Sequence, residues 1–276
     1  MITSQPALRA RSRRRGERLA STILRIGTGS MTQFSGALEI LFEDDHVLAL
    51  VKPMGIPTAN APAGEMSLYS LARETRPFVG VVSRIDAPVS GVVVFAKTSS
   101  AAASLAEQFR NRTVSKDYVA VVEGRFPAPL GVWVEWEDTM PIDNEAYGRS
   151  ARAPRKAAGG KKADVQSGDH PGSEDDDQGR DARTKARVVR RAGEASLVEL
   201  APATGRKHQL RIQLSLRRCP IVGDRRYGAR LPFPGGIALH ARSLTVAHPE
   251  SRQKLVLEAP LPVEWARRFP PLFAGG

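Results

Sequence analysis

A single cysteine, Cys219, leaves this 276-residue chain unable to form an internal disulfide. That fits a reducing compartment such as the cytosol. Cys219 sits in L-S-L-R-R-C-P-I-V and reads as a small core filler rather than a reactive thiol. No apolar run reaches the ~18 residues of a membrane span. The phosphate-cradling G-x-x-x-x-G-K-[ST], the dinucleotide fingerprint G-x-G-x-x-G, the zinc-protease H-E-x-x-H and the serine-hydrolase G-x-S-x-G are all missing. His46, His170, His208, His240 and His248 are scattered, so a zinc cluster has no support and no cofactor is expected. Acid is in deficit: 29 Asp and Glu face 41 Lys and Arg, a formal charge of +12. Such a balance favours a polyanionic partner, most often nucleic acid, over a merely solvated basic surface.

Two segments have little core-forming character. Residues 1–34 carry seven arginines against Glu17, a net +6. This stretch lacks the long apolar core of a secretory signal, and is expected to be a disordered extension. An RNA-contacting arm, an organelle transit peptide or a start at Met31 are the other readings. Residues 143–187 are almost devoid of large apolar side chains and carry +1. They are expected to form a low-complexity, disordered insert. Without both segments the charge is still +5.

Residues 35–276, apart from the insert, read as one α+β domain. Strands are expected at 38–42, 46–51, 81–83, 92–97, 116–124, 131–137, 188–191, 195–202, 242–247 and 253–258. Helices are expected at 67–76, capped by Ser67, at 99–112 with a serine cap, and at 205–218. The strands come as hairpins, which predicts a mixed, largely antiparallel sheet.

Three stretches carry chemistry together: S-R-I-D-A-P-V-S-G (83–91), V-S-K-D-Y-V-A-V-V-E-G (114–124), and T-G-R-K-H-Q-L-R (204–211) followed by C-P-I-V-G-D-R-R-Y-G (219–228). In this order they resemble the RluA-like family of RNA pseudouridine synthases. E-D-D-H-V-L-A-L-V-K-P-M-G (43–55), L-H-A (239–241) and H-P (248–249) are weaker matches. The resemblance covers about 38–258 outside the insert. It implies a pseudouridine-synthase-type sheet with flanking helices and a catalytic cleft. It also implies a cofactor-independent isomerase acting on ribosomal or transfer RNA. The lone cysteine and the lack of a long apolar run lead us to expect a cytoplasmic protein with no membrane partner.

Residue by residue, the resemblance makes Asp86 the nucleophile, a role suited to a carboxylate. Arg84 would displace the target nucleotide and fill its place in the stack. Tyr118 would pack on the base and assist proton removal. Arg211 would pair with Asp86 and keep it ionised. Arg206, His208 and Gln209 would shape the pocket or grip phosphate, and Leu210 would line it. The family's His, Leu and Thr are here Ser83, Ile85 and Val89, and G-R-T-H becomes G-R-K-H at Lys207. Those departures keep a non-catalytic RNA-binding protein or chaperone as the alternative. A glycoside or nucleoside hydrolase would need a second acid, for which Glu123 or Asp224 would be the candidates.

Overall fold

The computed structural model describes residues 8–9, 38–140 and 180–274. Most of the expected N-terminal extension and the stretch 143–179 of the expected insert lie outside these residues. The described strands join one mixed sheet in the order β2 (Glu39–Glu43), β3 (Val47–Lys52), β5 (Ser90–Ala96), β10 (Leu239–Ala247), β6 (Ser115–Glu123), β9 (Ala195–Pro202), β8 (Arg180–Ala192) and β7 (Trp133–Met140). The short β4 (Gly80–Val81) pairs with β5, and β11 (Lys254–Glu258) with β10. Pairing is antiparallel except between β5 and β10, and between β11 and β1 (Leu8–Arg9).

β3 and β5 are near-continuous apolar runs because both of their faces are covered. One side chain set, Val47, Ala49, Val92, Val94 and Ala96, meets Ala101 and Leu105 of helix α2 (Ser99–Arg110). The alternate set, Leu48, Leu50, Val93 and Phe95, meets Leu68 and Ala72 of α1 (Leu68–Arg73). The period of two thus divides each strand between two cores. Ser67 caps α1 through a reciprocal pair with Ser70. The cap of α2 is Thr98, not the first serine, because the Thr98 hydroxyl accepts from the Ala101 N–H.

Two other expectations change. The expectation of disorder does not hold for residues 180–187, which belong to β8 and pair with β7 and, from Thr184, also with β9. Ala182, Thr184, Ala186 and Val188 alternate into the core, each at most 1% exposed. The inward side chains are small and the outward ones charged, so a search for large apolar residues passes over a strand with sound alternation. The third helix, α3 (Gln209–Leu216), begins four residues later than expected, because His208 adopts a left-handed conformation (φ 57°). Six consecutive residues of α3, from Gln209 to Leu214, are buried. It is a core helix, so its polar residues need partners within the protein. Two short C-terminal helices, α4 (Val263–Arg268) and α5 (Pro270–Phe273), seat Trp265 and Leu272 against the same core.

Candidate active site

The loop between β4 and β5 carries Asp86, and the protein fixes it from several sides. The Thr58 hydroxyl donates to the Ile85 carbonyl (2.9 Å) and accepts from the Ile85 N–H (3.2 Å). The Asp86 carbonyl accepts from the Val89 N–H (3.0 Å), closing a turn around Ala87-Pro88. The Ala87 carbonyl accepts from the Gly55 N–H (2.8 Å) and from the Lys52 ammonium (3.0 Å). Lys52 is wholly buried and also donates to the carbonyls of Pro53 (2.8 Å) and Ile56 (2.7 Å). Burial pulls its pKa down to about 7, while the Asp86 charge pulls the other way. Gly91 ends the loop at φ +120°, where a Cβ would stand 2.2 Å from the Ala241 carbonyl oxygen. Only glycine lets β5 and β10 approach this closely.

The Asp86 side chain, 29% exposed, faces the start of α3. Arg211 Nη1 donates to its Oδ2 at 3.1 Å. The other edge of the same guanidinium is taken by Asp224: Nε to Oδ2 at 2.7 Å and Nη2 to Oδ1 at 2.9 Å. Burial opposes the Arg211 charge, but Asp224 foremost, with Asp86, outweighs it and raises the pKa. The ring of Tyr227 lies 4.9 Å beneath the guanidinium carbon. His208 places Nε2 3.6 Å from Asp86 Oδ2, and its Nδ1 shares a 2.8 Å hydrogen bond with the Tyr227 hydroxyl. Burial foremost lowers the His208 pKa, although the Asp86 charge pulls the other way.

Tyr118, on β6, forms another wall of the cleft, which has a volume of about 280 Å³. Burial first, and the Asp86 charge second, push its phenol well above the usual value. It therefore holds its proton in the free protein. Phe109 and Lys116 line the cleft as well. Lys116 donates to the Thr204 carbonyl (2.9 Å), and burial lowers its pKa. A charged aspartate, a positioned cation, an aromatic face and a small apolar floor thus converge on a space suited to one extruded base.

The sequence profile described as "RNA pseudouridylate synthase" matches residues 46–216. The chain belongs to that family. Its members isomerise uridine in RNA, and similar proteins bear names to match. The ribosomal large subunit pseudouridine synthase D of Xanthomonas campestris is 34% identical over 251 residues, 83% of this chain and 68% of that protein. The dual-specificity RNA pseudouridine synthase RluA of Vibrio vulnificus is 33% identical, over 77% of this chain and 79% of that one. The chain spans about two thirds of the length of the ribosomal large subunit synthases C to which it is similar. Among solved structures, human RNA pseudouridylate synthase domain containing 4 aligns with a TM-score of 0.62 at 25% identity, over 85% of this chain and 93% of that one.

The cleft brings together all the residues that the synthase motifs singled out, with different degrees of freedom. Arg84 lies at the rim and is exposed. Leu210 lines the floor and is buried. The Gln209 amide is fully committed within the protein. It accepts from Thr204 Oγ1 (2.7 Å) and the Arg206 N–H (3.0 Å), and donates to the Arg183 carbonyl (3.1 Å) and Thr184 Oγ1 (3.0 Å). Arg206 leans on the Asp181 carbonyl at 3.3 Å. No role for Lys52, Thr58 or Tyr227 is legible in the sequence, where Asp224 stands only as a candidate hydrolase acid. Lys52 and Tyr227 stood within quoted motifs, K-P-M-G and G-D-R-R-Y-G, but a linear motif does not say which polar residue turns inward.

Proposed function

We propose that this chain converts uridine to pseudouridine in structured ribosomal or transfer RNA, with Asp86 as the nucleophile. The observation that carries this is the Asp86 carboxylate, open to the cleft and held by Arg211 Nη1 at 3.1 Å opposite Tyr118. Arg84, at the exposed rim, is suited to occupying the stack vacated by the extruded nucleotide. Tyr118 offers its ring to the flipped base. A carboxylate oxygen of Asp86 bonds to C1′ of the ribose. The C1′–N1 bond breaks and its electron pair leaves on the uracil. The base turns and C5 bonds to C1′, releasing the Asp86 carboxylate. C5 then gives up its proton and N1 gains one. Burial first and the Asp86 charge second hold the proton on Tyr118, so the phenol gives it up less readily while that charge stands. The basic ordered surface and the Arg-rich N-terminal sequence suit sequence-independent phosphate contacts. The lone, buried Cys219 is consistent with a cytoplasmic setting.

A hydrolase reading loses its second acid. The Glu123 carboxylate accepts the backbone N–H groups of Arg230 and Leu231, and Asp224 is locked on Arg211. The test is single-nucleotide mapping of pseudouridine in RNA from source cells lacking the gene, re-supplied with wild-type chain or Asp86→Asn. Wild type should restore one or a few sites. Asp86→Asn should restore none, with activity in vitro lower by about 10³-fold or more and RNA binding retained. An unchanged map in all samples would leave the non-catalytic RNA-binding reading in its place.

A further inference from the structure

The cleft extends beyond the groups that gather at Asp86. Past Tyr118 it continues to Ser83, Phe109, Lys116 and Gly205. β4 and α2 lead to this outer arm side by side. A Cβ on Gly80 would stand 3.0 Å from the Ala102 Cβ, and Val82 and Phe109 pack on the same core. From Gly80 to Ser83 and from Ala102 to Phe109 the two elements each advance about 10 Å. Ser83 and the half-buried Phe109 ring therefore reach the cleft together. Lys116 stands two residues before Tyr118 on β6, on the same side of the strand and about 7 Å farther along. Its ammonium donates to the Thr204 carbonyl (2.9 Å), its one hydrogen-bond acceptor among the described residues. Two of its three N–H donors are thus left for a ligand. A Cβ at Gly205 would stand 3.5 Å from Lys116 Nζ, so the glycine keeps that approach open. The exposed Arg112 lies close enough for its charge to act on Lys116. Where the synthase motif carries histidine, position 83 is serine. An imidazole there would fill space beside Phe109 that the serine leaves free.

We propose that Ser83 opens, in this chain, a second nucleotide subsite in the outer arm of the cleft: the nucleotide beside the target uridine enters it, with its base on the Phe109 ring and its phosphate at the Lys116 ammonium. This rests on the reading of Asp86 as nucleophile, which places the target base at the inner end. A phenyl face stacks on any base, and an ammonium with two open donors suits a phosphate oxygen. The substrate is then an RNA in which two successive nucleotides leave the stack. A loop or a bulge meets that condition at lower cost than a continuous duplex, where every base must first be unpaired. Ser83 and Phe109 stand away from the reacting atoms. Their contacts are the same before and during the reaction, so they set which RNA is captured and act mainly on KM.

The experiment uses the full chain and the RNA identified by pseudouridine mapping. That RNA is transcribed with tritium at uridine C5 and assembled by ligation, so that the nucleotide on either side of the target uridine is intact or abasic. Isomerisation breaks the C5–H bond and releases tritium to water. On one of the two abasic RNAs the wild-type chain should lose about 10- to 100-fold in kcat/KM, mostly through KM. Phe109→Leu and Ser83→His should each lose a similar factor on intact RNA. On that abasic RNA they should lose little more, because base and side chain act as one pair. Phe109→Trp, which restores an aromatic face, should recover most of the activity. Full wild-type activity on both abasic RNAs would overturn the proposal. So would variants whose losses multiply with the abasic loss, which marks a general structural defect. Should urea titration show that Phe109→Leu does not fold, Ser83→His decides by the same two criteria. No tritium release by the wild-type chain from intact RNA would refute the isomerase reading and this inference with it, whereas release that ignores both neighbours refutes the inference only.

Discussion

Lys52→Met removes one ammonium from beneath the Asp86 loop and keeps the length of the stem. Its effect on stability follows from two opposed terms. The drop of the Lys52 pKa from 10.5 to about 7 corresponds to about 5 kcal/mol of destabilisation below pH 7. Methionine relieves that cost. It also withdraws the donor from the carbonyls of Pro53 and Ile56, while Ala87 keeps the Gly55 N–H. Two stranded carbonyls cost about 2–6 kcal/mol together. The two effects oppose each other at pH 7, where we expect a net change within about 3 kcal/mol. The pH dependence separates the proteins. The unfolded chain holds the Lys52 proton up to about pH 10, whereas the folded chain releases it near 7. Between these values the unfolded state binds more protons, so wild-type stability rises with pH by about 1.4 kcal/mol per unit. Lys52→Met has no group to titrate there and stays flat. Activity should fall about 10- to 100-fold, because the turn bearing Asp86 loses its anchor and small misplacements are costly. Urea unfolding at pH 6, 7, 8 and 9, followed by the fluorescence of buried Trp265, reads the first effect, and tritium release reads the second. A wild-type curve flat from pH 7 to 9, a variant that keeps the slope, or a variant of full activity would contradict a titrating Lys52 that anchors the Asp86 turn.

His240, wholly buried with Nδ1 2.8 Å from the Ser90 hydroxyl, has its pKa pushed down to about 4, chiefly by burial. The unfolded chain binds that proton near pH 6.5, so stability should decline by about 3 kcal/mol as pH falls from 6.5 to 4. His240→Asn, which retains a polar atom for Ser90, should lose most of that decline in urea titrations at pH 4, 5 and 6.5. Gly91→Ala places a Cβ 2.2 Å from the Ala241 carbonyl oxygen at φ +120°. It should cost at least about 3 kcal/mol, visible as a loss of soluble yield and a lower urea midpoint.

Much of this protein is legible in one dimension, and what is legible has a common cause. Strands such as V-L-A-L-V and G-V-V-V-F-A announce themselves because both faces of β3 and β5 are covered, so every position must be apolar. Asp86, Tyr118 and Arg211 stand in motifs short enough to be read from neighbours along the chain. β8 shows where this stops. Its inward residues from 182 to 186 are Ala, Thr and Ala, whose burial depends on how close the neighbouring strands and α3 lie. Likewise, His208 ends the upstream loop with a left-handed residue, which moves the start of α3.

The α+β class, the basic character and the chemical types at the cleft are written along the chain, because periodicity, charge and local motifs are properties of neighbours in sequence. Which charge meets which is settled by folding. Arg211 finds Asp86 across 125 positions and Asp224 across 13, and gives the stronger hydrogen bonds to the nearer one. Lys52 is a loop anchor beneath the nucleophile because folding buries it among carbonyls contributed from 35 residues away as well as from its own turn. Burial makes such choices consequential, since an ion removed from water must be matched by whatever the fold brings beside it.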